Sequence, residues 1–176
     1  ATVTSDGTQI LVNTSRVYAA INAVAKEGQK ITSCRERVGK IGGFELFDRV
    51  NHDPIFELAA KRAVKLLDEK PAPSGRFTVV ADPRLAGVFA HEAVGHGCEA
   101  DAVIAGESIL GSRLMKRVGS DIVSIFDDST VNEGWGNEKY DDEGVPTCRR
   151  LLLEKGILKG FIHNKESAAR LGMEPN

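Results

Sequence analysis

Two Asp-Pro pairs, Asp53-Pro54 and Asp82-Pro83, constrain the fold of this chain more than any other feature of it. A carboxylate that can cap orphan N–H groups, followed by a proline where a missing N–H is harmless, marks the start of a helix. After the first pair, Ile55, Leu58, Ala59, Ala63 and Leu66 fall near one face. Lys61, Arg62, Lys65 and Asp68 lie mainly on the other, and Pro71-Ala72-Pro73 ends the run. This spacing predicts a helix over 54–70. The second pair predicts a helix over 83–97, with Asp82 as its cap and with Leu85, Val88 and Phe89 turned to the core. Between them, residues 77–81 (FTVVA) read as a short buried strand.

The flanks read as antiparallel strands. In residues 8–39 Val17, Ala19, Ile21 and Ala23 share one parity, and Lys26-Glu27-Gly28-Gln29 supplies a turn, although the alanines leave a helix open. Gly39, Gly42 and Gly43 point to an irregular loop or a bulged edge. Residues 122–126 (IVSIF) read as a strand, and the polar run after it as a functional surface loop. A hairpin turning at Lys155-Gly156 follows, then a last helical turn with Gly172 at its C-cap. The expected class is α+β: an antiparallel β-sheet with the 54–70 and 83–97 helices packed on it, the second helix following a buried strand. A parallel α/β arrangement is the runner-up, because strand 77–81 lies between two helices.

Composition excludes some partners. With 23 Lys plus Arg against 25 Asp plus Glu there is no basic surface to favour nucleic acid, and no basic arm or acidic tail. No apolar run approaches the roughly 20 residues that span a bilayer, and the N-terminus lacks a signal-peptide layout, so a cytoplasmic location is expected. Cys34, Cys98 and Cys148 are odd in number and not spaced as C-x-x-C, which favours reduced thiols, each read as a small hydrophobe before a ligand. The length suits one domain or slightly more, and the start at ATVTSDG and stop at GMEPN read as those of a fragment.

On the second helix lies HEAVGH, residues 91–96. Its histidines are five apart, about 140° around an ideal α-helix, whereas the four-residue spacing of zinc-protease helices separates them by about 40°. One π-type turn restores about 100° and brings His96 back to the face of His91. Gly95 is where that distortion should strain least. A helical glycine costs about 1 kcal/mol and a bulge about as much again, against roughly 10 kcal/mol from a zinc site. The expectation is therefore a helix bulged or broken at Val94–Gly95. Two imidazoles and a third protein ligand would leave one zinc position for water, with its pKa lowered to about 7. Glu92, expected to point past the metal, would act as general base and then acid. The plainer alternative is that each histidine is a polar core or surface residue.

HEAVGHGCEAD, with DDEGVPT downstream and the glycine-rich GGFE upstream, resembles the TldD/PmbA family of metalloproteases, also described as modulators of DNA gyrase. The resemblance runs over nearly all 176 residues and marks the chain as the central portion of a TldD-like protein, without its N-terminal domain and C-terminal remainder. It implies Zn2+ held by His91 and His96, Glu92 as the catalytic carboxylate, and a later cysteine, matched by no position here, as third ligand. It also implies cleavage of unfolded or leader peptides and a TldE/PmbA-like partner subunit that lacks the motif. Cys98, where similar proteins usually have an aliphatic residue, reads as a packed hydrophobe before a substitute ligand. Glu99, Asp101, Cys148, His163 and His52 are further ligand candidates. The cluster Asp141-Asp142-Glu143 would order a loop or meet a peptide N-terminus, and Trp135 is either a lid or a local anchor. The competing functions are a non-enzymatic subunit with a structural or vestigial metal site, and a fragment that folds but is inactive because its site is incomplete.

Overall fold

The computed structural model describes residues 1–49, 51–132 and 134–176. It is an α+β structure with antiparallel strands, as the sequence predicts. Among the described residues no helix is long and apolar enough to cross a membrane. The chain divides into two compact units.

One unit spans Asn13–Phe77 and takes in Trp135. Its frame is a hairpin of β3 (Arg16–Glu27) and β4 (Lys30–Ile41), which follow the two short strands β1 (Thr2–Val3) and β2 (Gln9–Ile10) of the other unit. The β3–β4 ladder runs unbroken from Glu27↔Lys30 to Arg16↔Ile41 around the predicted turn. On it lies α2 (Asp53–Lys65), preceded by a short α1 (Glu45–Arg49) where the sequence suggested only a loop or bulge. The small side chains of Ala59 and Ala63 are fully buried, so helix and hairpin approach closely. Thr32 Oγ1 donates to the Ala63 carbonyl at 2.6 Å, and Arg62 pairs with the buried Glu36. The cap differs from expectation. His52 is the N-cap and Asp53 the first helical residue, its N–H taken at 2.9 Å by Asn51 Oδ1. Trp135 stands edge-on to Tyr18, with ring centroids 6.1 Å apart, and its carbonyl accepts from Arg16 Nε. It is the local anchor of the two readings.

The other unit holds β1, β2, α3 (Pro83–Ala90), α4 (Ala100–Ala105), β5 (Ile125–Asp128), β6 (Arg149–Glu154), β7 (Ile157–Leu158) and α5 (Lys165–Leu171). The last three strands form an antiparallel sheet in the order β5-β6-β7. Its core is Cys98, Ala100, Leu110, Leu152, Leu153, Leu158 and Phe161. The β6–β7 hairpin turns at Lys155-Gly156, both at positive φ, and α5 begins with an Asn164–Ser167 capping box and ends at Gly172 in the left-handed region.

Two expectations fail here. Residues 77–81 form no strand, and Val80 is 97% exposed. A run rich in β-branched residues becomes a strand only when a neighbouring strand accepts its ladder, and none does so among the described residues. Likewise α3 is not packed on a sheet. None of its residues is buried, and Phe89 is 60% exposed. Its apolar stripe is real, but no described element covers it.

Candidate metal centre

The helix that carries the motif starts as predicted, with Asp82 Oδ1 accepting from the Leu85 N–H at 2.8 Å. It remains α-helical to Ala90 and then widens into a π turn over His91–Gly95. The His96 N–H reaches back five residues to the His91 carbonyl, so one hydrogen bond joins the two histidines through their backbones. The rings consequently lie on one side, with centroids 4.5 Å apart at 70°. His91, Glu92 and His96 offer ligand atoms that all lie within 4.8 Å of one another, which makes them the single metal-capable cluster among the described residues. All three are exposed.

One detail differs from the sequence argument. Gly95 has ordinary right-handed dihedrals, φ −53° and ψ −63°, and a Cβ there would meet nothing nearer than the Ala90 carbonyl at 3.7 Å. A π turn stays within the right-handed helical region, so its backbone does not demand glycine. Glu92 stands beside the imidazoles. Its Oε2 lies 3.9 Å from His96 Nε2, within the same space.

Beyond the π turn, a 3-10 turn over His96–Cys98 anchors the motif to the core. The Ile162 N–H donates to the Cys98 carbonyl at 2.7 Å, and the Ala100 N–H to the Ile162 carbonyl at 2.9 Å. Cys98 itself is fully buried. Burial alone pushes its thiol up to about 11, and its sulfur is not among the clustered ligand atoms, so it packs as the hydrophobe expected. In the native protein, thiol-modifying reagents are expected to label the exposed Cys148 readily and Cys98 only after denaturation. Rapid native labelling of Cys98, read by peptide mass, would contradict this packing.

The remaining ligand candidates take other places. Glu99 follows the 3-10 turn in extended conformation, and its Oε1 lies 2.9 Å from His96 Nδ1. This leaves Nε2 as the free nitrogen of that ring, the arrangement in which a carboxylate fixes the tautomer of a metal-binding histidine. His52 belongs to the other unit, with Nε2 3.2 Å from the Leu46 carbonyl. Asp101, Cys148 and His163 line a second cavity together with Glu99. Asp141 orders its loop by accepting the N–H groups of Glu143 and Val145, and Glu143 accepts that of Lys165. Sequence reasoning passed over Asp127 of β5, which lines the same cavity as the two histidines. Its shared parity with Ile125 was the available signal, obscured by placing the strand three residues early.

Family models match almost the whole chain. Residues 1–67 match the PmbA/TldA metallopeptidase central domain and residues 74–176 the PmbA/TldA metallopeptidase C-terminal domain. The chain belongs to the PmbA/TldD family. It is 40% identical over all 176 residues to a metalloprotease of Methanothermobacter thermautotrophicus, and 42% identical over 170 residues to one of Methanocaldococcus jannaschii. It spans 38% and 37% of the length of these two relatives. A zinc metalloprotease TldD homolog of Saccharolobus solfataricus is 30% identical over 172 residues, 97% of this chain and 38% of the relative. Among solved PmbA/TldD-like structures, a Bacteroides thetaiotaomicron protein described as a modulator of DNA gyrase superposes with a TM-score of 0.82 at 21% identity, over 98% of this chain and 38% of that one. Thermococcus kodakarensis TldE gives 0.69 at 19%, over 91% and 35%. At these identities the two structures speak for the fold.

Proposed function

We propose that the full-length protein is a zinc-dependent peptidase, with this chain as its central portion, acting on unfolded or leader peptides. The observation that carries this reading is the π turn, which brings His91, Glu92 and His96 to one exposed face although their spacing on a regular helix would splay them. Two neutral imidazoles suit a borderline cation such as zinc, with Glu92 left beside them as the base, and a cysteine beyond residue 176 is the third ligand proposed. When bound, the ion supplies a Lewis acid for the scissile carbonyl.

The protein groups divide the remaining work. His91 and His96 hold the cation, and Glu99 keeps His96 in the tautomer that presents Nε2. Glu92, exposed beside them, takes a proton from the attacking water and returns it to the departing amine. A cavity of about 500 Å3 runs from Gly87 and the histidines to Ile125 and Phe126 of β5, offering mixed polar and apolar contacts to a peptide. A TldE/PmbA-like subunit is the partner proposed, as membership of the PmbA/TldD family implies.

The test is removal and return of the metal. Chelation of the full-length protein is expected to abolish peptide cleavage, and stoichiometric zinc to restore it. Cleavage that persists in metal-free protein would refute the proposal.

A further inference from the structure

Beside the cavity of the two histidines lies a second, of about 520 Å3, which shares Glu99, Asp127 and Ile162 with it. Its ionisable lining is acidic: Glu99, Asp101, Asp127 and Asp141 against Arg150 alone. Two of these carboxylates are occupied, Glu99 with His96 and Asp141 with the backbone of its own loop. Two are not. The Asp101 carboxylate accepts only from the adjoining Ala102 N–H, and the Asp127 carboxylate makes no hydrogen bond or ion pair among the described residues. Although Asp127 sits across the ladder from Arg150, the guanidinium donates instead to Cys148 Sγ, at 3.2 Å.

An independent observation comes from His163, which lines the same cavity, is 3% exposed, and has no hydrogen-bond partner on either ring nitrogen. Burying such a group without a partner is costly, so its presence asks for one that the described residues do not supply. Burial, and then the nearby Arg150, lower its pKa from the ordinary 6.5, so near neutral pH it is uncharged and keeps one nitrogen as an acceptor. Acceptors thus predominate where the wall has spare capacity. A single metal ion is not the answer, because these groups do not bring three ligand atoms within 4.8 Å of one another. A larger cation with several N–H donors, able to reach separated acceptors, suits such a lining.

We propose that this cavity is a subsite for a positively charged group of the peptide, a lysine or arginine side chain or the free N-terminal amine, held next to the bond being cut. The inference rests on the peptidase reading for its substrate and adds selectivity to it. Asp101 and Asp127 receive the charge, and His163 takes one further N–H.

The test measures binding to the full-length protein carrying Glu92→Gln, by fluorescence anisotropy, so that no turnover is needed. The probes are one labelled peptide containing a single lysine, the same peptide with norleucine in its place, and N-acetylated forms of both. Loss of the charge is expected to weaken binding about tenfold or more, and Asp101→Asn with Asp127→Asn to remove the difference while norleucine-peptide binding stays. If only acetylation matters, the terminal amine is the ligand; if only norleucine matters, the side chain is. Equal binding of all four probes, absence of binding, or a preference that survives the double substitution would each overturn the subsite. Discrimination by the Glu92→Gln protein, when the unsubstituted full-length protein cleaves none of the probes, would refute the peptidase and leave the cavity, whereas cleavage by the unsubstituted protein without discrimination would do the reverse.

Discussion

Replacing Glu92 by glutamine in the full-length protein is expected to lower peptide cleavage by about 10²–10⁴-fold with the bound metal retained. The substitution preserves shape and one hydrogen-bonding oxygen but removes the ability to accept and return a proton. The geometry makes the second half of the expectation informative. Glu92 Oε2 is 3.9 Å from His96 Nε2, close enough for the carboxylate to serve as a ligand instead of a base. A base leaves metal content unchanged when replaced; a ligand takes much of it away. Steady-state cleavage together with metal analysis on the same sample separates the two. Undiminished cleavage would remove Glu92 from the mechanism, and loss of metal would reassign it.

The largest structural effect is expected at Gly156, which lines neither of the two cavities. Its φ of 78° lies in the left-handed region, beside Lys155 at 44°, in the two-residue turn that joins β6 to β7. The loop over residues 117–123 wraps this turn so closely that a Cβ would stand 2.2 Å from the Gly119 carbonyl oxygen and 2.6 Å from that of Ser120. Three backbone hydrogen bonds hold the contact, from Val118 and Gly119 to the Gly156 carbonyl and from Gly156 to Val123. Backbone cannot rotate aside as a side chain can, so Gly156→Ala combines left-handed strain with overpacking, about 2–4 kcal/mol in sum. Urea denaturation reads it directly. Gly95→Ala is the matched control, since that site has ordinary dihedrals and room for a methyl group, and should change stability by about 1 kcal/mol or less. A loss below 0.5 kcal/mol at Gly156 would mean that the loop does not pack on the turn as described.

What the sequence made legible was local. The β3–β4 hairpin, α2, the β6–β7 turn and the cap of α5 each depend on residues close in the chain, and each is found. What it misjudged depends on neighbours that sequence does not name. Residues 77–81 and the apolar stripe of α3 have the composition of buried elements, yet nothing described covers them. The short α4 was missed because six residues carry too little periodicity to stand out from a loop. At the candidate site the five-residue spacing of the histidines foretold the π turn, since helical geometry offers few ways for such a pair to converge. The engagement of Glu99 with His96 was beyond reach. It depends on the chain turning extended at Glu99 and bridging to Ile162, a contact 63 residues distant.

The most direct test of the central claim, that His91 and His96 converge to hold a metal, is X-ray absorption at the zinc edge of the full-length protein. Two imidazole nitrogens at about 2.0–2.1 Å are expected in the native spectrum, and one in that of His96→Ala. A spectrum without imidazole scattering, or one that His96→Ala leaves unchanged, would contradict the account.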